Sequence, residues 1–151
     1  MDVTPDRLRA LNQMMQIVPH SGFLGMRLTK VDAKVVTTEL DYREDLIGDP
    51  DSGALHGGVI TGMLDASCGL AVMVALDKLT RIATLDLRVD YFKPSTPGAT
   101  LYSRCDCYKM TQQVAFVQGL AYELTEDGQE NQLARATGTF MVIQSRSGVE
   151  G

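Results

Sequence analysis

Two rhythms of apolar and polar residues run along this chain. Leu8, Leu11, Met14, Met15 and Val18 recur at three- and four-residue intervals, the spacing of one helical face. Thr4 and Pro5 ahead of them supply an N-cap and a first-turn proline, so the pattern predicts a short helix over 4–18. Pro19 ends it, and residues 20–25 read as a loop. Weaker strand patterns follow over 26–32 and 35–41, with Ala33-Lys34 as a tight turn between them. Residues 42–54 contain the run Gly48-Asp49-Pro50-Asp51-Ser52-Gly53 and are too polar and too rich in breakers to be anything but a loop.

The character then changes. Residues 55–76 carry one charged side chain, Asp65, and predict an apolar helix over 57–77, about 30 Å long. Strand patterns resume at 81–92, where Leu85, Leu87, Val89 and Tyr91 alternate with Thr84, Asp86, Arg88 and Asp90. Three more strands are expected over 101–109, 114–124 and 133–143, with turns at Pro97-Gly98 and Asp127-Gly128 and a flexible tail over 144–151. A helix apolar nearly all round must be covered on most of its surface. One antiparallel sheet of about six strands, curved around it, does this, which gives an α+β class.

At 151 residues the chain makes one domain spanning 1–151, large enough to build a core without metal or disulfide staples. Nineteen acidic against fourteen basic side chains leave a net charge of −5, which argues against nucleic acid and anionic membrane as partners. Cys68, Cys105 and Cys107 are odd in number and lack metal-ligand spacing, so reduced packing residues in a cytoplasmic setting are expected. No signal-peptide pattern opens the chain. The apolar stretch is long enough to span a bilayer, but its central Asp65 and its glycines favour a buried core helix.

Chemistry concentrates in the run Leu55-His56-Gly57-Gly58-Val59-Ile60-Thr61-Gly62-Met63-Leu64-Asp65. A helix that begins with glycines exposes unpaired N–H groups and a partial positive charge, so a carbonyl oxygen can come close and be polarised. Positions 58, 62, 65 and 69 share a helical face and read Gly, Gly, Asp, Gly. Such a face suits either a ligand drawn to the carboxylate or a close helix–helix contact that satisfies it. Gly57 and Asp65 lie about 12 Å apart along one helix, too far to touch one carbonyl. A catalytic use of both therefore requires two antiparallel helices across a two-fold axis, with shared sites.

The run HGGVITGMLDASCGLA, followed by TLDLRVDYFKP, resembles the hotdog-fold acyl-CoA thioesterases, specifically the phenylacetic-acid-degradation (PaaI-like) group. The resemblance covers most of the chain and implies a hotdog fold, a sheet wrapped around one long central helix. It implies that the Gly57 amide holds the thioester carbonyl, with His56 shaping the pocket beside it. Asp65 of the opposing subunit would be nucleophile or general base, and Thr84 would orient that carboxylate or the water. Gly58, Met63, Leu64 and Asp49 would line the substrate site, with Val72, Leu46 and Ile47 as further pocket candidates. Relatives commonly carry Asn where this chain has Asp49, which adds a negative charge and, when ionised, cannot donate a hydrogen bond. Arg88, Lys93, Lys109 and Arg135 are candidate contacts for the phosphates of coenzyme A.

A thiolate departs without a strong general acid, so carbonyl polarisation, a carboxylate and water suffice for hydrolysis. No cofactor is implied, coenzyme A being part of the acyl-CoA substrate. The expected assembly is a homodimer or a dimer of dimers. A non-catalytic acyl-CoA-binding or structural hotdog module is the alternative. A hydratase is disfavoured, because His56 precedes Asp65 by nine residues and no histidine follows.

Overall fold

The N-terminal pattern folds as two helices where one helix and a loop were expected. The computed structural model describes residues 3–143, so the expected tail over 144–151 lies outside them. Helix α1 (Pro5–Ile17) starts at Thr4, whose hydroxyl accepts from the Arg7 amide at 3.3 Å. Val18 is held extended ahead of Pro19, which ends α1, but Pro19 then serves as the first residue of a second short helix, α2 (Pro19–Leu24). Gly25, at φ +71°, closes α2 in the left-handed conformation.

The remaining elements follow the expected order. Strands β1 (Arg27–Asp32) and β2 (Val35–Leu40) form a hairpin through Ala33 and Lys34, both with positive φ. After the loop comes α3 (Gly57–Leu76), then β3 (Arg81–Tyr91), β4 (Leu101–Met110), β5 (Val114–Leu124) and β6 (Glu130–Ile143). The six strands form one sheet in the order β1-β2-β4-β5-β6-β3, and every neighbouring pair is antiparallel. The sheet wraps α3, which buries Val59, Ile60, Met63, Leu64, Cys68, Leu70, Ala71, Val72 and Val74. This is the hotdog architecture. The apolar helix is the core helix of the domain, and the sheet takes the place a bilayer would fill.

Polar groups inside this core are satisfied. The hydroxyls of Thr38, Ser67 and Ser103, all fully buried, bond one another at 2.7–2.9 Å and tie α3 to β2 and β4. Buried Glu123 accepts from the Thr96 amide and hydroxyl and from Asn131, which fixes the turn after β3 to β5. That turn has Gly98 at φ +81° behind Pro97, as the sequence predicts.

One irregularity matters for everything that follows. In the β3–β6 ladder Thr84 pairs with Phe140 and Asp86 with Thr139, so Leu85 is an extra residue, a β-bulge. Simple alternation would place Thr84 and Tyr91 on opposite faces. With the bulge, Ile82, Thr84, Leu87, Val89 and Tyr91 all turn toward α3, and Leu85 is left 51% exposed. Gly138 accommodates the distortion, since a Cβ there would lie 2.4 Å from the Asp86 carbonyl oxygen. Gly138→Ala must therefore displace β3 or β6. With about 1–3 kcal/mol of strain, Tm falls by about 2–12 °C in a thermal melt of this 151-residue chain; an unchanged Tm contradicts the role given to Gly138.

Candidate active site

The N-terminus of α3 is built by a tight loop. Ile47 bridges Leu55, the Gly48 amide donates to the Ala54 carbonyl, and the His56 amide donates to Leu46. His56 is the N-cap, and its Nδ1 accepts from the Gly58 amide at 2.9 Å. The Val59 amide donates to the His56 carbonyl. The Gly57 amide is thus left without an acceptor among the described residues, whereas that of Gly58 is taken. Of the two glycines, Gly57 is the one able to donate to a ligand.

Tyr91 completes this end of the helix. Its hydroxyl donates to the Gly57 carbonyl at 2.8 Å and is hydrogen-bonded to Thr61, and its ring lies 3.5 Å from where a Gly57 Cβ would stand. Tyr91 escapes sequence reasoning because strict alternation turns it away from Thr84's face. Only the bulge at Leu85 brings both residues to one side, and nothing local in the sequence signals it.

Eight residues along α3, Asp65 is half-buried, not enclosed as the apolar sequence around it suggested. The helix leaves one stripe partly open, and Gly57, Thr61 and Asp65 stand on it. The Thr84 hydroxyl donates to Asp65 Oδ1 at 2.8 Å, so one carboxylate oxygen is fixed by β3. The glycines flanking Asp65 are filled from within the same chain. Gly62 makes room for His20, whose Cε1 would lie 2.8 Å from a Cβ there, and Gly69 for Ile82 and Phe140. His56 covers Gly58.

Asp65 and Thr84 border a cavity of about 370 Å³ between α1, α2, α3 and the β3–β6 edge of the sheet. Its wall is mostly apolar and includes Met14, Val18, Leu70, Met73, Ile82 and Phe140. Met63, Leu64 and Val72, expected to line a pocket, are fully buried in the opposite, sheet-facing side of α3. The helical stripe that ends in Met73 takes their place. A second cleft of about 410 Å³ lies over the helix start, lined by His56, Gly58, Leu46, Ile47 and Phe23, and His20 borders both spaces.

Asp49 stands away from this cavity. The Ser52 hydroxyl and the Asp51 amide donate to its carboxylate at 2.6 and 3.1 Å and hold it below the usual carboxylate range. Within one chain Asp49 serves its own loop. Arg88 is paired with Asp90, opposite Arg135 on the β3–β6 ladder, while Lys93 and Lys109 are exposed elsewhere. The three cysteines are unpaired, and the neighbouring Cys105 thiol together with burial pushes the Cys68 thiol up. Among the described residues no cluster of His, Cys, Asp or Glu could hold a metal ion.

In this hotdog fold a carboxylate fixed by a hydroxyl stands beside an apolar cavity, and a glycine amide is left without an acceptor among the described residues at the helix start. The family model of the thioesterase superfamily matches residues 52–127, which include Gly57, Asp65 and Thr84, and the chain belongs to that superfamily. A protein of known structure from Pseudomonas aeruginosa is 33% identical, with a TM-score of 0.78 over 90% of this chain and 98% of that one. The medium/long-chain acyl-CoA thioesterase YigI of Escherichia coli K12 is 27% identical over 138 residues, covering 83% of this chain and 86% of YigI. A variant of the phenylacetic acid degradation protein PaaI from Thermus thermophilus shares the fold at 22% identity and a TM-score of 0.70, over 83% of this chain and 99% of that one.

The helix start should weaken without the tyrosine hydroxyl. Tyr91→Phe loses a hydrogen bond of about 0.5–1.5 kcal/mol net, which lowers Tm by about 1–6 °C in a domain this size. A Tm equal to that of the unsubstituted protein contradicts the bonds assigned to Tyr91.

Proposed function

We propose that the protein hydrolyses acyl-CoA thioesters to a free acid and coenzyme A in sites shared between two copies of the chain. The observation that carries this is the Asp65–Thr84 pair beside an apolar cavity, about 12 Å from the free Gly57 amide on the same helix. One thioester cannot reach both groups in one chain. Two α3 helices packed antiparallel bring Gly57 of one copy opposite Asp65 of the other. An edge for such pairing is present: among the described residues β3 bonds only β6, and its eleven residues have a free side. Exposed Leu85 on β3 and Met141 on β6 support its burial.

In this site the Gly57 amide, at the positive end of α3, stabilises the negative charge that develops on the thioester oxygen. His56 holds the Gly58 amide and so keeps the turn in place. Thr84 binds one oxygen of Asp65 and leaves the other free to act. That oxygen either removes a proton from water as it attacks the carbonyl, or attacks the carbonyl itself. In the second route a C–O bond forms, the C–S bond breaks, coenzyme A leaves as thiolate, and water opens the mixed anhydride. Ionised Asp49 has no hydrogen to donate to a carbonyl, so the Gly57 amide carries the polarisation. Homology to YigI and membership of the superfamily support the substrate class.

Thiol release from a panel of aliphatic and aromatic acyl-CoAs tests the proposal. Asp65→Asn keeps the shape and the fold but loses about 10²–10⁴ in rate, the range of a positioned base or nucleophile. A variant that retains full activity overturns the role of Asp65. Absence of turnover with every acyl-CoA in the unsubstituted protein, with binding retained, points to an acyl-CoA-binding module instead. Rapid acid quench of a single turnover, followed by mass spectrometry, separates the two routes: an acyl group on the Asp65 peptide marks direct attack.

A further inference from the structure

The cavity beside Asp65 is a slot. Its floor is one stripe of α3, made of Gly62, Asp65, Ala66, Gly69, Leu70 and Met73, which spans about 16 Å at 1.5 Å per residue. Met14 and Val18 of the α1 segment form one wall, and Ile82 and Phe140 of the sheet form the other. Gly69 keeps the floor low where Ile82 and Phe140 lean across it. From Asp65 to Met73 the run is about 12 Å. At Met73 the slot stops, and a separate space of about 190 Å³, lined by Ala10, Leu11, Asp77 and Leu79, begins on the other side of the same side chain.

We propose that this slot is a chain-length gauge: it takes the linear tail of the acyl group from Asp65 toward Met73, and Met73 sets the longest tail that fits. The proposal rests on the thioester carbonyl lying at Asp65, as argued above. Length supports a linear tail over a ring. A zigzag of carbons with bonds of about 1.5 Å and angles of about 111° advances about 1.25 Å per carbon, so about ten carbons fill 12 Å. Volume agrees, because 370 Å³ is more than twice the roughly 150 Å³ that suffices for benzene, and an aryl group would leave the slot half empty. The side chains fit the task too. Methionine is unbranched and adaptable, and Met14, only half-buried in the wall, can shift to fit a tail along it. The α1 wall lies outside residues 52–127, the segment matched by the superfamily, whereas Met73 lies within it.

Non-hydrolysable alkyl-CoA thioethers of four to sixteen carbons test this by titration calorimetry, with thiol release from the matching thioesters measured alongside. In the unsubstituted protein Kd tightens about fourfold per added methylene and levels off near ten carbons. Met73→Ala joins the slot to the space behind it and moves the break to longer tails. Met14→Trp narrows the slot and moves the break to shorter ones. A Kd independent of tail length, or a break that stays in place in both folded variants, overturns the gauge. Thioesters cleaved with no break in tail length sink the gauge alone, and a break without cleavage upholds the gauge and sinks the hydrolytic reading.

Discussion

A single extra residue in one strand decides what the central helix can use. Leu85 bulges from β3, and because of it the side chains before and after it face the same way. Thr84 then reaches Asp65 in the middle of α3, and Tyr91 reaches Gly57 at its start. Without the bulge, one of the two contacts would have to point to solvent, since a one-residue slip reverses every side chain. Gly138 on the partner strand is the complement of this distortion, its missing Cβ leaving room for the Asp86 carbonyl.

The rest of the domain holds α3 so that these contacts meet a fixed helix. Its sheet-facing side is fully buried against β2, β4 and β5, with Met63, Leu64, Cys68 and Val72 in the core. Its other side is a stripe of small and polar residues whose space is taken up by His20, Ile82, Phe140 and the cavity. Interiors pack too closely to leave such a stripe empty, so a glycine there requires a neighbour. α2 supplies that neighbour at Gly62, which links the N-terminal helices to the region around Asp65.

Much of this was legible in the sequence. The helical periodicity of α1, the apolar run of α3, the alternation of β3 from Leu87 onward and the turns at Ala33-Lys34 and Pro97-Gly98 are local signals, and they fold as expected. Thr84 beside Asp65 followed from a resemblance, and the hydrogen bond between them is consistent with it. What was not legible depended on contacts between distant segments. Pro19 looked like a terminator because a proline that ends one helix can equally begin the next. The bulge at Leu85 is visible only against the register of β6, and Tyr91 was missed with it. Met63 and Leu64 were assigned to a pocket because a helix apolar on all sides hides which face meets the sheet.

The claim that gathers these contacts into a function is that Asp65 of one copy and the Gly57 amide of another act on the same thioester. Subunit complementation measures it most directly. Asp65→Asn and Gly57→Val, each inactive alone, are refolded together in equal amounts and assayed for thiol release. Half of the dimers are then mixed, and each mixed dimer holds one site with both intact groups, so about a quarter of the unsubstituted activity returns. Mixed dimers that form but stay inactive would contradict the account, because each functional site would then lie within a single chain.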